Sequence, residues 1–70
     1  MIIEYDSKTD LLYIRFSSEK QELMNKKISE DIVLDLGIDD KIIGIEIMDA
    51  SQHVKLTEIL PVNYYLPKTG

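Results

Sequence analysis

Apolar and polar residues alternate along three stretches of this chain, and each stretch sets its apolar residues on one side. In Leu11–Phe16, Leu12, Ile14 and Phe16 oppose Leu11, Tyr13 and Arg15. In Asp31–Leu36, Ile32, Leu34 and Leu36 oppose Asp31, Val33 and Asp35. In Ile42–Asp49, Ile43, Ile45 and Ile47 oppose Ile42, Gly44, Glu46 and Met48. A period of two marks a half-buried β-strand. Ile2–Tyr5 is apolar and β-prone, and Asp6–Asp10 has the Asp and Ser side chains of a turn. These two segments and Leu11–Phe16 predict a first hairpin.

Gly37–Lys41 predicts the turn of a second hairpin. A two-residue turn at Asp39 and Asp40 pairs Leu34 with Ile45 and Leu36 with Ile43. A four-residue turn from Gly37 to Asp40 pairs Leu34 with Ile43. A slip of one residue would send an apolar set to the wrong side of the sheet. Ser17–Lys27 supports two readings. Glu19 to Met24 are good helix formers. The same segment also reads as a polar edge strand whose Lys20, Lys26 and Lys27 guard against unwanted pairing.

After Asp49-Ala-Ser51 the period changes. Asp49 or Ser51 is placed to cap a short helix with Val54, Leu56, Ile59 and Leu60 as its buried side, ending near Pro61. So short a helix is marginal alone and is expected to lie on the sheet. The predicted fold is therefore α+β and mostly β: a small antiparallel sheet of about four strands with a short C-terminal helix packed on one face. Its core is Ile3, Leu12, Ile14, Phe16, Ile32, Leu34, Leu36, Ile43, Ile45 and Ile47. Residues 1–70 are expected to form a single domain, with a β core over 1–51 and a helix and tail over 52–70.

Composition adds constraints. The chain has 70 residues, no cysteine and one histidine, which excludes disulfides and thiolate metal sites. A core of this size gives no more than ~3–5 kcal/mol of net stability, so self-association is expected. The net charge of −5 argues against nucleic acid and against an anionic membrane surface. No apolar run approaches the ~20 residues of a membrane span. Met1–Asp6 lacks the regions of a signal peptide, so a cytoplasmic location is expected.

Four segments carry a resemblance. Ile3–Asp6, Leu12–Phe16, Ile32–Asp35 and Gly44–Ser51, in that order and spacing, resemble the small bacterial proteins of domain-of-unknown-function family 2283 (DUF2283). The most specific is Gly44-Ile-Glu-Ile-Met-Asp-Ala-Ser51, where Met48 stands for the family's usual leucine. The resemblance covers roughly Met1 to Ser51. The family often has a glycine late in the preceding turn, whereas here Gly37 comes early and Asp40 sits near that later place. The resemblance implies a compact β-sheet domain with a short helix and no assigned activity. Some family members are encoded beside small toxin-like proteins, which implies an antitoxin-like partner role.

The acidic residues are the chemical candidates. Counted from Asp35, Asp39 and Glu46 fall at the fifth and twelfth places of a calcium loop. Asp40 holds the place that requires glycine, and Gly37 holds a ligand place, so a solvated acidic turn fits better. Asp6, Asp10 and Asp49 form a second group, and paired carboxylates suit acid–base chemistry when burial separates their pKa values. Turn initiation by Asp6 and helix capping by Asp49 explain the same positions. Glu46 and Arg15 are placed for a cross-strand ion pair. Gly44 inside a strand calls for a close neighbour, such as the ring of Tyr13 lying over it. His53 is a candidate general base, with a surface position in a first helical turn as the plainer reading.

No catalytic residue, cofactor or metal site is assigned, and the chain is not expected to be an enzyme. The interface candidates are Leu11, Tyr13, Val33 and Met48 on the mixed sheet face, with Tyr64 and Tyr65 in the tail. The expected partners are a second copy, forming a homodimer, or a small protein. The alternative is a small-molecule or metal-binding protein, or a minor enzyme, that uses the acidic cluster.

Overall fold

A computed structural model describes residues 1–59. The expectations for Leu60, Pro61, Tyr64 and Tyr65 lie outside those described residues. The elements are β1 (Ile2–Asp6), β2 (Leu11–Arg15), β3 (Met24–Lys27), β4 (Ile32–Leu36), β5 (Ile42–Ile47) and the helix α1 (Leu56–Ile59). The strands form one sheet in the order β1-β2-β5-β4-β3, and every neighbouring pair is antiparallel.

The sheet has five strands, where the sequence pattern predicts about four. The additional one is β3, so the edge-strand reading of Ser17–Lys27 is the one adopted. All of its residues are exposed. A strand wet on both faces has no need of an apolar period, which is why the sequence does not announce it.

The apolar residues line up in rows across the sheet. Ile3, Ile14, Ile45 and Leu34 are successive partners across β1, β2, β5 and β4. Tyr5, Leu12, Ile47 and Ile32 form the next row. Among the described residues the buried apolar side chains are Leu12, Leu36, Ile43 and Ala50, and the two rows are otherwise half-buried. Phe16, expected in the core, is 45% exposed. It follows the last residue of β2, held by its N–H donating to the carbonyl of Ile43 (2.7 Å).

The second hairpin takes the two-residue turn. Asp39 and Asp40 both have left-handed backbones (φ 57° and 58°), and the Lys41 N–H donates to the Ile38 carbonyl (3.2 Å). Left-handed residues at both central places make a type I′ turn, whose twist suits a hairpin. Leu34 pairs with Ile45 as that turn predicts. Two residues on, Leu36 pairs with Ile42 rather than Ile43, because a bulge shifts the register after Asp35. Leu36 and Ile43 are both buried, while Ile42, the partner of Leu36, is 47% exposed.

Past β5 the chain does not enter a capped helix. Asp49 is left-handed (φ 52°) with no side-chain cap bond, and Ala50–Gln52 make a single 3-10 turn. The helix begins only at Leu56 and carries Leu56 and Ile59 half-buried. Among the described residues no helix is long and apolar enough to cross a membrane.

Candidate interaction face

The sheet face opposite the apolar rows combines charge with apolar bulk. One row runs Glu4, Tyr13, Glu46, Val33, Lys27 across all five strands. The neighbouring row runs Ile2, Arg15, Gly44, Asp35, Asn25. Leu11, Tyr13 and Val33 are half-buried and Met48 is exposed.

Tyr13 and Gly44 organise the centre. A Cβ at Gly44 would lie 3.0 Å from the Tyr13 hydroxyl and 3.2 Å from its Cε1 atom. The ring therefore crosses diagonally from β2 over β5, in the space left by the missing side chain. This path carries the phenol to Asp35, the residue opposite Gly44 on β4.

Asp35 is 3% exposed, an uncommon position for a carboxylate. The Asn25 side-chain amide donates to its Oδ1 at 2.6 Å, and Glu46 reaches it from β5. The bond to Asp35, burial and the Asp35 charge together raise the Glu46 pKa above its ordinary 4.5. Glu46 thus holds its proton to higher pH than an isolated glutamate does. Burial and then the Asp35 charge likewise push the Tyr13 phenol up, while Arg15 opposes them.

The ion pair expected between Glu46 and Arg15 does not form. Arg15 faces Gly44 and turns its guanidinium to the chain that follows, donating to the carbonyls of Ser17 and Glu19. Nor do the calcium-loop candidates gather. Asp35 and Glu46 meet on the sheet, while Asp39 and Asp40 are exposed in the turn. Among the described residues no group of three or more His, Cys, Asp or Glu is arranged to hold a metal ion.

A second cluster ties the first hairpin to the segment after β5. Asp6 initiates its turn as expected, its Oδ1 accepting the Lys8 N–H at 2.9 Å. The carboxylate that joins the two segments is Asp10. It accepts from the Tyr5 hydroxyl (2.7 Å), the Ser51 hydroxyl (2.6 Å) and the Ser51 N–H (3.1 Å). The Ala50 N–H donates to its carbonyl (2.9 Å). Ser51 is thereby occupied and does not cap a helix. The Ser51 and Tyr5 hydroxyl bonds hold the Asp10 carboxyl below its ordinary value. His53 places Nε2 2.8 Å from an Asp31 carboxylate oxygen, fixing the same segment to the start of β4.

Beside β3 lies an open groove of about 570 Å³, with Leu23, Met24, Leu36 and Ile38 on its walls.

A family model described as a protein of unknown function, DUF2283, matches residues 2–51. Neither the curated proteins nor the solved structures compared with the chain contain a match. The matched span ends where the Asp10 latch closes on Ser51. Within it, Gly44 admits the Tyr13 ring, Glu46 meets Asp35, and Ala50 and Ser51 donate to Asp10.

Proposed function

The chain belongs to the DUF2283 family of proteins of unknown function, and from that premise we propose that it is a small protein-interaction module that associates with a second copy or a small protein partner. One observation carries this reading: very little of its apolar surface is inside. Among the described residues the buried apolar side chains are only Leu12, Leu36, Ile43 and Ala50, whereas Ile2, Met24, Ile38 and Ile42 are 46%, 66%, 72% and 47% exposed. A single sheet with one apolar face requires a second layer or a partner to cover it, and larger exposed apolar areas mark interaction sites.

The mixed face supplies specificity in this reading. Leu11, Tyr13, Val33 and Met48 provide apolar contact around a fixed polar centre, the composition common to interfaces. A net charge of −5 favours a partner surface of opposite sign. The reading gives the chain no catalytic role and a place in the cytoplasm.

Light scattering behind a sizing column, over a wide concentration range, tests it. The expected result is a dimer for the parent chain, and for Val33→Asp and Met48→Asp an intact dimer with weaker binding of a small protein partner on the mixed face, circular dichroism being unchanged. Unaltered partner binding by both variants would remove the mixed face as the partner contact. A parent chain that stays monomeric and captures no protein would overturn the reading.

A further inference from the structure

The two edges of the sheet are built differently. At one edge, β3 carries Lys26 and Lys27, both exposed, and lysine on an edge strand discourages pairing with another chain. At the other, β1 is Ile-Ile-Glu-Tyr-Asp, with no lysine, proline or glycine. It keeps unbroken register with β2 over all five residues, so no bulge blunts it. Ile2 is 46% exposed and Met1 beside it 79%.

The backbone of β1 is set for a further strand. Phe16 donates to Ile43, in line with the register that pairs Arg15 with Gly44. Amide direction alternates along a strand, so Leu12 and Ile14 also address β5, and Leu11, Tyr13 and Arg15 address β1. Their partners on β1 are Asp6, Glu4 and Ile2. Ile3 and Tyr5 are therefore left with N–H and C=O pointing outward from the sheet.

We infer that two copies of this chain join edge to edge through β1, antiparallel, with Ile3 opposite Ile3 of the second copy on a two-fold axis. Charge selects this register. Centring the pair on Glu4 would set two glutamates face to face, and centring it on Tyr5 would set Glu4 against Asp6 of the second copy. Like charges directly opposite destabilise a pair. Centring on Ile3 sets Glu4 against Ile2 of the second copy and Tyr5 against its Met1. The residues with outward amides then meet each other, as the ladder requires.

Pairing β3 with itself would bring lysines together. Pairing β1 with β3 of another copy is head-to-tail and leaves edges free to continue, whereas the β1 pair closes at two. The result is one continuous sheet of twice the width. Its apolar rows run together on one side, and both mixed faces look the same way. This inference rests on the reading of the chain as a self-associating module and names where the copies meet.

Cysteine cross-linking tests it, since the chain has no cysteine of its own. Directly opposed residues in a hydrogen-bonded antiparallel pair have Cα atoms about 5.5 Å apart, within disulfide reach. Under mild oxidation Ile3→Cys is expected to become a covalent dimer, while Lys27→Cys on the other edge lags far behind. Ile2→Asp, which opposes Glu4 of the second copy, should weaken the dimer by about tenfold, and Ile2→Lys should not weaken it. A parent dimer in which Ile3→Cys cross-links no faster than Lys27→Cys, and which Ile2→Asp leaves intact, would overturn the edge pairing and leave the interaction-module reading standing. A parent chain that stays monomeric at every concentration would overturn self-association itself, and the edge pairing with it.

Discussion

Tyr13 lies across Gly44, its hydroxyl and Cε1 occupying the ground that a side chain on β5 would fill. The glycine is thus a window through which a tyrosine on β2 reaches an aspartate on β4. Three strands, β2, β5 and β4, are coupled by that one diagonal contact.

Gly44→Ala should therefore cost stability. The new Cβ meets the Ile14 carbonyl oxygen at 3.0 Å as well as the tyrosine, so backbone and ring must both give way. A loss of about 1–3 kcal/mol is expected, the usual scale for overpacking, read from urea unfolding. In a Tyr13→Ala background the ring contacts vanish, and the penalty of Gly44→Ala should shrink. An equal penalty in both backgrounds would show that the Ile14 carbonyl alone excludes the side chain.

The Tyr13–Gly44 contact was legible in the sequence because a glycine inside an alternating strand calls for a neighbour. The in-phase pairing of β4 with β5 was legible because each strand carries three apolar residues on one side, but Leu34 opposite Ile45 and Leu34 opposite Ile43 both satisfy it, and the choice of Ile45 rests on the left-handed backbones of Asp39 and Asp40. The burial of Asp35 was not. A carboxylate in an alternating pattern reads as exposed, and its cover comes from across the sheet. Part of that cover is Asn25, on an edge strand with no apolar period to reveal it. The Asp10 latch was hidden for a related reason: its partner Ser51 is 41 residues away, and either residue alone reads as local turn chemistry.

Glu46 predicts a pH dependence with a definite sign. Its pKa in the folded chain is raised above the ordinary 4.5, first by the hydrogen bond with Asp35. Between those two values the folded state binds more proton than the unfolded state, so stability falls as pH rises through that window. Glu46→Gln keeps a donor for Asp35 without ever ionising. It should match the parent well below pH 4.5 and exceed it at neutral pH by about 0.5–1 kcal/mol, the scale of partly exposed charge pairs. Thermal melts of the two proteins across pH give the difference. A variant less stable than the parent at neutral pH would mean that the ionised glutamate is favourable where it stands.

The type I′ turn offers a stabilising change. Asp40 holds φ at 58°, a conformation that strains most side chains and suits glycine. Asp40→Gly should gain about 0.5–1 kcal/mol, visible as a higher melting temperature, while Asp40→Val should lose more than that. If glycine destabilises the turn, the aspartate side chain contributes more to holding it than the backbone conformation costs.

Ser51→Ala tests the latch. The Ser51 hydroxyl is the largest influence holding the Asp10 carboxyl below its ordinary 3.8, with the Tyr5 hydroxyl second. A carboxylate with a lowered pKa contributes stability above its unfolded value, and that contribution is lost as pH falls through the folded one. Without the Ser51 hydroxyl the contribution is smaller. The variant should be less stable than the parent at neutral pH, unfold at a higher pH on acidification, and converge with the parent at strongly acid pH. Tyr5→Phe should act in the same direction with a smaller displacement, since its bond ranks second. Acid titrations followed by circular dichroism read both, and an unmoved acid limb in Ser51→Ala would show that Asp10 holds the hairpin through its backbone bond to Ala50 rather than through its carboxylate.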